Sequence, residues 1–138
     1  MKVLIDTNIA LDFLLHRKDF AYAMDIFMMA EKKHIMGYIS ASAITDIFFL
    51  AKGNLGKKAT KAALKDLLQV FKPATVTDDN IYQALAIDWK DFEDSVQFVV
   101  GESLSVNYIV TRNVQDFSSG SIPAVTPEQF IKVIAKDA

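Results

Sequence analysis

Three aliphatic residues followed at once by a carboxylate, Val3-Leu4-Ile5-Asp6, constrain the architecture of this chain more than any other stretch. A short continuous apolar run, rather than an alternating one, reads as a strand buried on both faces, as the central strands of parallel sheets are. Such a strand needs a cover of helices above and below. A carboxylate beside it is costly to bury without compensation. Asp6 therefore either caps the helix that follows or stands at a strand end where a cation or substrate neutralises it. Local sequence leaves both readings open.

The remainder of the chain supplies the cover. Helical patterns are predicted over 9–15 and 20–33, the second carrying Phe20, Ala23, Met24, Phe27 and Met28 at helical spacing, an ordinary core stripe. Gly37-Tyr38-Ile39 reads as a second strand, after which Ser40 or Ser42 caps a helix through residues 50–52, ended by Gly53-Asn54. An amphipathic helix over 57–71 exposes Lys57, Lys58, Lys61 and Lys65, either a solvated face or a patch for a phosphate backbone. Pro73 breaks that pattern, and 74–77 reads as a short strand with Thr77 or Asp78 capping a helix over 79–87. A helix over 92–104, a clear strand over 107–111 and a weaker one over 123–125 follow; Thr126-Pro127-Glu128 then opens a terminal helix. This alternation predicts an α/β fold, a three-layer α/β/α sandwich around a central, mostly parallel sheet, with residues 1–138 forming one domain.

Composition removes several classes. No apolar run approaches the roughly 20 residues of a membrane helix, and the start lacks a signal-peptide pattern, so a cytoplasmic protein is expected. The absence of cysteine excludes disulfides, thiol catalysis and thiolate metal sites. A net charge of −2 gives no global basic footprint, so any nucleic acid would be held by a local cationic patch or through metal ions.

In open parallel sheets ligands bind beyond the carboxyl ends of the strands. Asp6 follows the first strand directly, and Asn113 and Asp116 follow the 108–111 strand in the same way. Asp46 and Asp94 sit near helix starts, where Asp91 reads as a cap and Glu93 as a surface residue. Carboxylates arriving from separate segments repel one another, so a cluster implies protonation or a cation. An oxygen-only set suits Mg²⁺ or Mn²⁺ rather than zinc. His16 and His34 lie apart and read as surface residues.

Four segments carry a family resemblance: Val3-Leu-Ile-Asp-Thr-Asn8, Ile39-Ser40 to Leu50, Asp91-Phe-Glu-Asp-Ser-Val-Gln97 and Tyr108-Ile-Val-Thr-Arg-Asn-Val-Gln-Asp-Phe117. In that order they resemble the PIN domain, the Mg²⁺-dependent nuclease fold of VapC-type toxins, and within it the subgroup with "DFED" and "TRN-x-x-DF" motifs. The resemblance implies that the family's first acid is Asp6, its second Asp46, its third Asp94, and that its fourth falls where this chain has Asn113, with Asp116 three residues on. Asp46 is one methylene shorter than the family's usual glutamate, and Asn113 lacks the charge that many relatives carry.

What the resemblance implies is a metal-dependent ribonuclease, the toxin of a type II toxin–antitoxin pair. Asp6, Asp94 and Asp116 would bind Mg²⁺ or Mn²⁺, with Asp46 a further ligand or the residue that orients water. Asn8, Thr111 and Asn113 would support them by hydrogen bonds. Arg112 would meet either a phosphate or the acidic cluster, and Arg17, Lys18, Lys52, Lys57 and Lys58 would guide the RNA. A cognate antitoxin would cover the cleft. Homodimerisation is also expected, with Phe48-Phe49-Leu50 and Phe98-Val99-Val100 as apolar candidates, although core burial accounts for most of both. A dehalogenase-type phosphatase would need Asp-x-Asp, where this chain has Thr7-Asn8; a phospho-receiver would need a late lysine that the "TRN" segment lacks. The departures at Asp46 and Asn113 leave one alternative: a PIN-like module, weak or inactive as an enzyme, that binds RNA or a protein.

Overall fold

The computed structural model describes residues 1–134. Five strands, β1 (Lys2–Ile5), β2 (Met36–Ser40), β3 (Phe71–Ala74), β4 (Tyr108–Val110) and β5 (Ala124–Val125), form one sheet in the order β3-β2-β1-β4-β5. Every pairing is parallel. Helices α1 (Thr7–Leu15), α2 (Phe20–Glu31), α3 (Ala41–Leu55), α4 (Lys57–Val70), α5 (Asp78–Ala86), α6 (Phe92–Leu104) and α7 (Pro127–Ile134) complete the fold, with a 3-10 turn at Val114–Phe117.

The alternation of side chains along β1 divides the core in two. Val3 and Ile5 pack into a cluster with Ile9, Leu11, Ile26, Ile47, Leu67 and Phe130, drawn from α1–α4 and α7. Leu4 points the other way, into a cluster with Ala84, Val96, Val99 and Ile109 beneath α5 and α6. Each apolar residue of the opening run is thus buried, on alternate faces, which is the three-layer sandwich that a continuous apolar strand predicts. No helix among the described residues is long and apolar enough to cross a membrane.

Two sequence expectations move. The helix predicted to reach residue 71 stops at Val70, and the strand predicted over 74–77 is Phe71–Ala74, with Pro73 inside it. β3 pairs only with β2 among the described strands, and on an edge a proline's missing N–H can face away from the ladder. Phe71 fixes the register because its ring lies over Gly37 of β2, where a Cβ has no room. Likewise α3 does not end at Gly53 but runs to Leu55, and Gly56 takes the left-handed turn at φ +82° that separates α3 from α4. Other caps fall where residue chemistry places them. Thr77 and Asn80 cap each other's backbone at α5, and Thr126 and Gln129 do the same at α7.

Candidate active site

The chain lays β2 and β3 on one side of β1 and then β4 and β5 on the other, so the strand order reverses between β1 and β4. A crevice opens at the carboxyl ends of the strands on either side of such a switch. Asp6 stands at the end of β1 and Thr111 at the end of β4, tied by the Asp6 N–H to the Val110 carbonyl at 2.9 Å. Asp6 occupies the position before α1, but its side chain makes no cap hydrogen bond to that helix. Instead Thr111 Oγ1 donates to Asp6 Oδ2 at 2.8 Å, and Gln97 Nε2 donates to Oδ1 at 3.1 Å. Asp6 thus stands at a strand end and does not cap α1 with its side chain. Burial pushes the Asp6 carboxyl up, and the hydrogen bonds from Thr111 and Gln97 work against that rise.

A cleft of about 410 Å³ lies over Asp6 and is lined also by Thr7, Asn8, Asp46, Asp91, Glu93, Asp94, Asn113 and Asp116, with Phe49 and Leu50 at one side. It holds all four acids singled out in the sequence, together with Asn8 and Asn113. Asp46 comes from the second turn of α3, Asp94 from the first turn of α6 and Asp116 from the 3-10 turn after β4. Asp91 caps α6, its Oδ1 accepting the Asp94 N–H at 3.1 Å. Partial burial raises the Asp94 carboxyl to about 7, helped by repulsion from Asp91, Asp6, Asp116 and Glu93.

Three residues escaped the sequence reading of the site. Glu93 is not a plain surface residue: it lines the cleft, its Oε1 accepts the Thr7 hydroxyl at 3.2 Å, and burial plus the neighbouring Asp46 push its carboxyl up. Gln97 is buried under Asp6, and its Oε1 has no hydrogen-bond partner among the described residues. Its position one turn from Asp94, among the buried residues of α6, was the available signal. The third is Asp12, completely buried on α1, facing Arg112 with Nη1 to Oδ1 at 3.4 Å. Arg112 thus pairs with neither the four acids nor the cleft wall.

The donor set fits a hard divalent cation. It consists of oxygens alone, and the repulsion that helps raise Asp94 is relieved when a cation stands among these acids. Among the described residues no three Asp, Glu, His or Cys side chains are already gathered closely enough to hold a metal ion.

Comparison with known proteins identifies the fold. Among the solved structures that share the fold are three with TM-scores of 0.66 to 0.69. A toxin–antitoxin complex from Klebsiella pneumoniae is 23% identical with a TM-score of 0.69, covering 91% of this chain and 97% of the other. VapBC2 from Rickettsia felis, bound to a DNA fragment from its promoter, is 12% identical with a TM-score of 0.67, at 91% and 97% coverage. Mycobacterium tuberculosis VapC20, a toxin that cleaves the sarcin-ricin loop, is 17% identical with a TM-score of 0.66, at 86% and 95% coverage. A search of curated proteins gives no match. The family model of the PIN domain matches residues 2–115, which takes in β1 through β4 and every acid of the cleft except Asp116, and the chain belongs to that family.

Proposed function

We propose that this protein is a divalent-metal-dependent endoribonuclease, acting as the toxin of a toxin–antitoxin pair. The observation that carries the reading is the gathering of Asp6, Asp46, Asp94 and Asp116 in one cleft at the strand switch point. Membership of the PIN family supports it, as does the likeness of fold to VapC20 and to two toxin–antitoxin complexes.

Asp6, Asp94 and Asp116 would hold the ion, which when bound polarises a phosphoryl oxygen and makes water a better nucleophile. Thr111 and Gln97 hold Asp6 by one oxygen each, so the remaining lone pairs of that carboxylate keep a fixed direction. Asp46 is the residue to orient a water, and Glu93 beside it extends the acidic wall that its short side chain leaves open. Asn8 and Asn113 offer uncharged amide donors to a phosphodiester between the acids. Lys52, Lys57 and Lys58, all exposed on α3 and α4, would draw the backbone toward the cleft. An antitoxin would silence the enzyme by covering the same acids.

A second reading is favoured by one specific observation: the acids are not gathered into a finished metal site. On that reading the protein binds RNA or a partner without cutting. RNA cleavage in Mg²⁺ or Mn²⁺ separates the two. The nuclease reading expects metal-dependent cutting that Asp6→Asn and Asp94→Asn each reduce by at least about 100-fold, the scale on which a single preorganised electrostatic contact acts. Equal trace activity in wild type and both variants would leave the binding module.

A further inference from the structure

One wall of the acidic cleft is not acidic. Phe49 and Leu50 line it, and they are 67% and 52% exposed. Single exposed apolar residues are common and carry nothing by themselves. Three features set Phe49 apart. It stands three residues after Asp46 on α3, so the aromatic ring and the acid share one helix face about 5–6 Å apart at Cβ. Its neighbour Phe48 packs against the core, so the outward side chain is not forced by the run of phenylalanines. The Lys52 ammonium lies over the Phe49 ring at 5.1 Å from its centroid, placing a cation beside an aromatic face at the mouth of the cleft.

We propose that Phe49 is a stacking platform for one unpaired base of a single-stranded RNA, with Lys52 contacting the phosphate next to that base. This rests on the nuclease reading for its substrate and adds a subsite to it. Proteins that hold single strands without strict sequence preference combine these two elements, an aromatic face for the base and a cation for the backbone. Exposed Lys57 and Lys58 begin the next helix and continue positive charge away from the acids. A strand entering past them would reach the ring before it reached the acids. A duplex has no free base face to offer, so the subsite selects loops and unpaired segments.

The test is equilibrium binding of a fluorescein-labelled, mixed-sequence RNA decamer in calcium, with one abasic nucleotide scanned along it. Phe49→Ala should weaken binding by roughly ten- to hundredfold, the range of one base–aromatic stack. One abasic position should cost wild type the same factor and cost Phe49→Ala nothing further, while Phe49→Trp should bind as wild type does. In cleavage assays Phe49→Ala should raise KM and leave kcat unchanged. Wild-type protein that fails to bind the decamer overturns the proposal, as do unchanged affinity in Phe49→Ala or abasic and alanine losses that simply multiply. A change of oligomeric mass in Phe49→Ala with RNA binding intact assigns the patch to a protein contact and overturns it equally. Stacking without any cutting would refute the nuclease reading alone; cutting that ignores Phe49 would refute the platform alone.

Discussion

Asp6, at the end of β1, and Asp12, on α1, are both buried, and the fold treats them in opposite ways. Asp6 has a hydrogen bond to each oxygen, both from neutral donors. Asp12 has no hydrogen bond to either oxygen and instead faces the Arg112 guanidinium at 3.4 Å. Burial raises both carboxyls; at Asp6 hydrogen bonds are the main opposition, and at Asp12 the charge of Arg112 is. A carboxylate fixed by neutral donors keeps its charge for a ligand. One matched by a cation has spent it. On the proposed function, the contrast would separate a ligand from a residue that secures the backbone behind it, since Arg112 directly follows the Thr111 that holds Asp6.

Arg112→Ala gives the largest effect on stability. It strands Asp12 in the core without its cation, a loss of about 3 kcal/mol on the scale of broken buried pairs, readable by urea unfolding. Asp12→Asn should cost less, because Arg112 is about a third exposed and can turn to water. The sign with pH follows from the raised Asp12 carboxyl. Between its unfolded and folded values the native state holds a proton that the unfolded chain releases, so stability falls as pH rises. Removing Arg112 widens that window, and the defect should be greater at pH 8 than at pH 5. Equal losses in the two variants at both pH values would break the distinction.

Thr111→Val probes the other aspartate and should have the smaller effect on stability, about 2 kcal/mol for a hydrogen bond to a charged group. Its effect on cleavage should be clearer, a loss of about 10- to 100-fold as for other residues that orient a ligand from behind, with Thr111→Ser restoring most of it. A Thr111→Val enzyme with full activity would mean that Asp6 needs no orientation.

The sheet was legible because β1 and β4 are continuous apolar runs with no other stable reading. The edge was less so: β3 contains a proline and two exposed residues, and only the fit of Phe71 over Gly37 sets where it begins. The acids could be assigned to strand ends and helix starts because one topological rule gathers such positions. Gln97, Glu93 and Asp12 depend on which way a helix face turns, and that is decided by packing across α1, α3 and α6. Arg112 shows the same limit. Its neighbours in sequence are residues of the site, yet its side chain leaves the cleft for an aspartate on α1.

Calorimetric titration of Mn²⁺ into metal-free protein at pH 6 and pH 8 tests the central claim most directly. Wild type should bind Mn²⁺ at pH 8 and about tenfold more weakly at pH 6, because Asp94, raised to about 7, must give up its proton to a cation. Asp94→Asn should abolish that binding, whereas Asp12→Asn, which acts only through the backbone behind Asp6, should weaken it far less. Equal Mn²⁺ affinity in wild type and Asp94→Asn, or no difference between the two pH values, would contradict a metal site built on these acids.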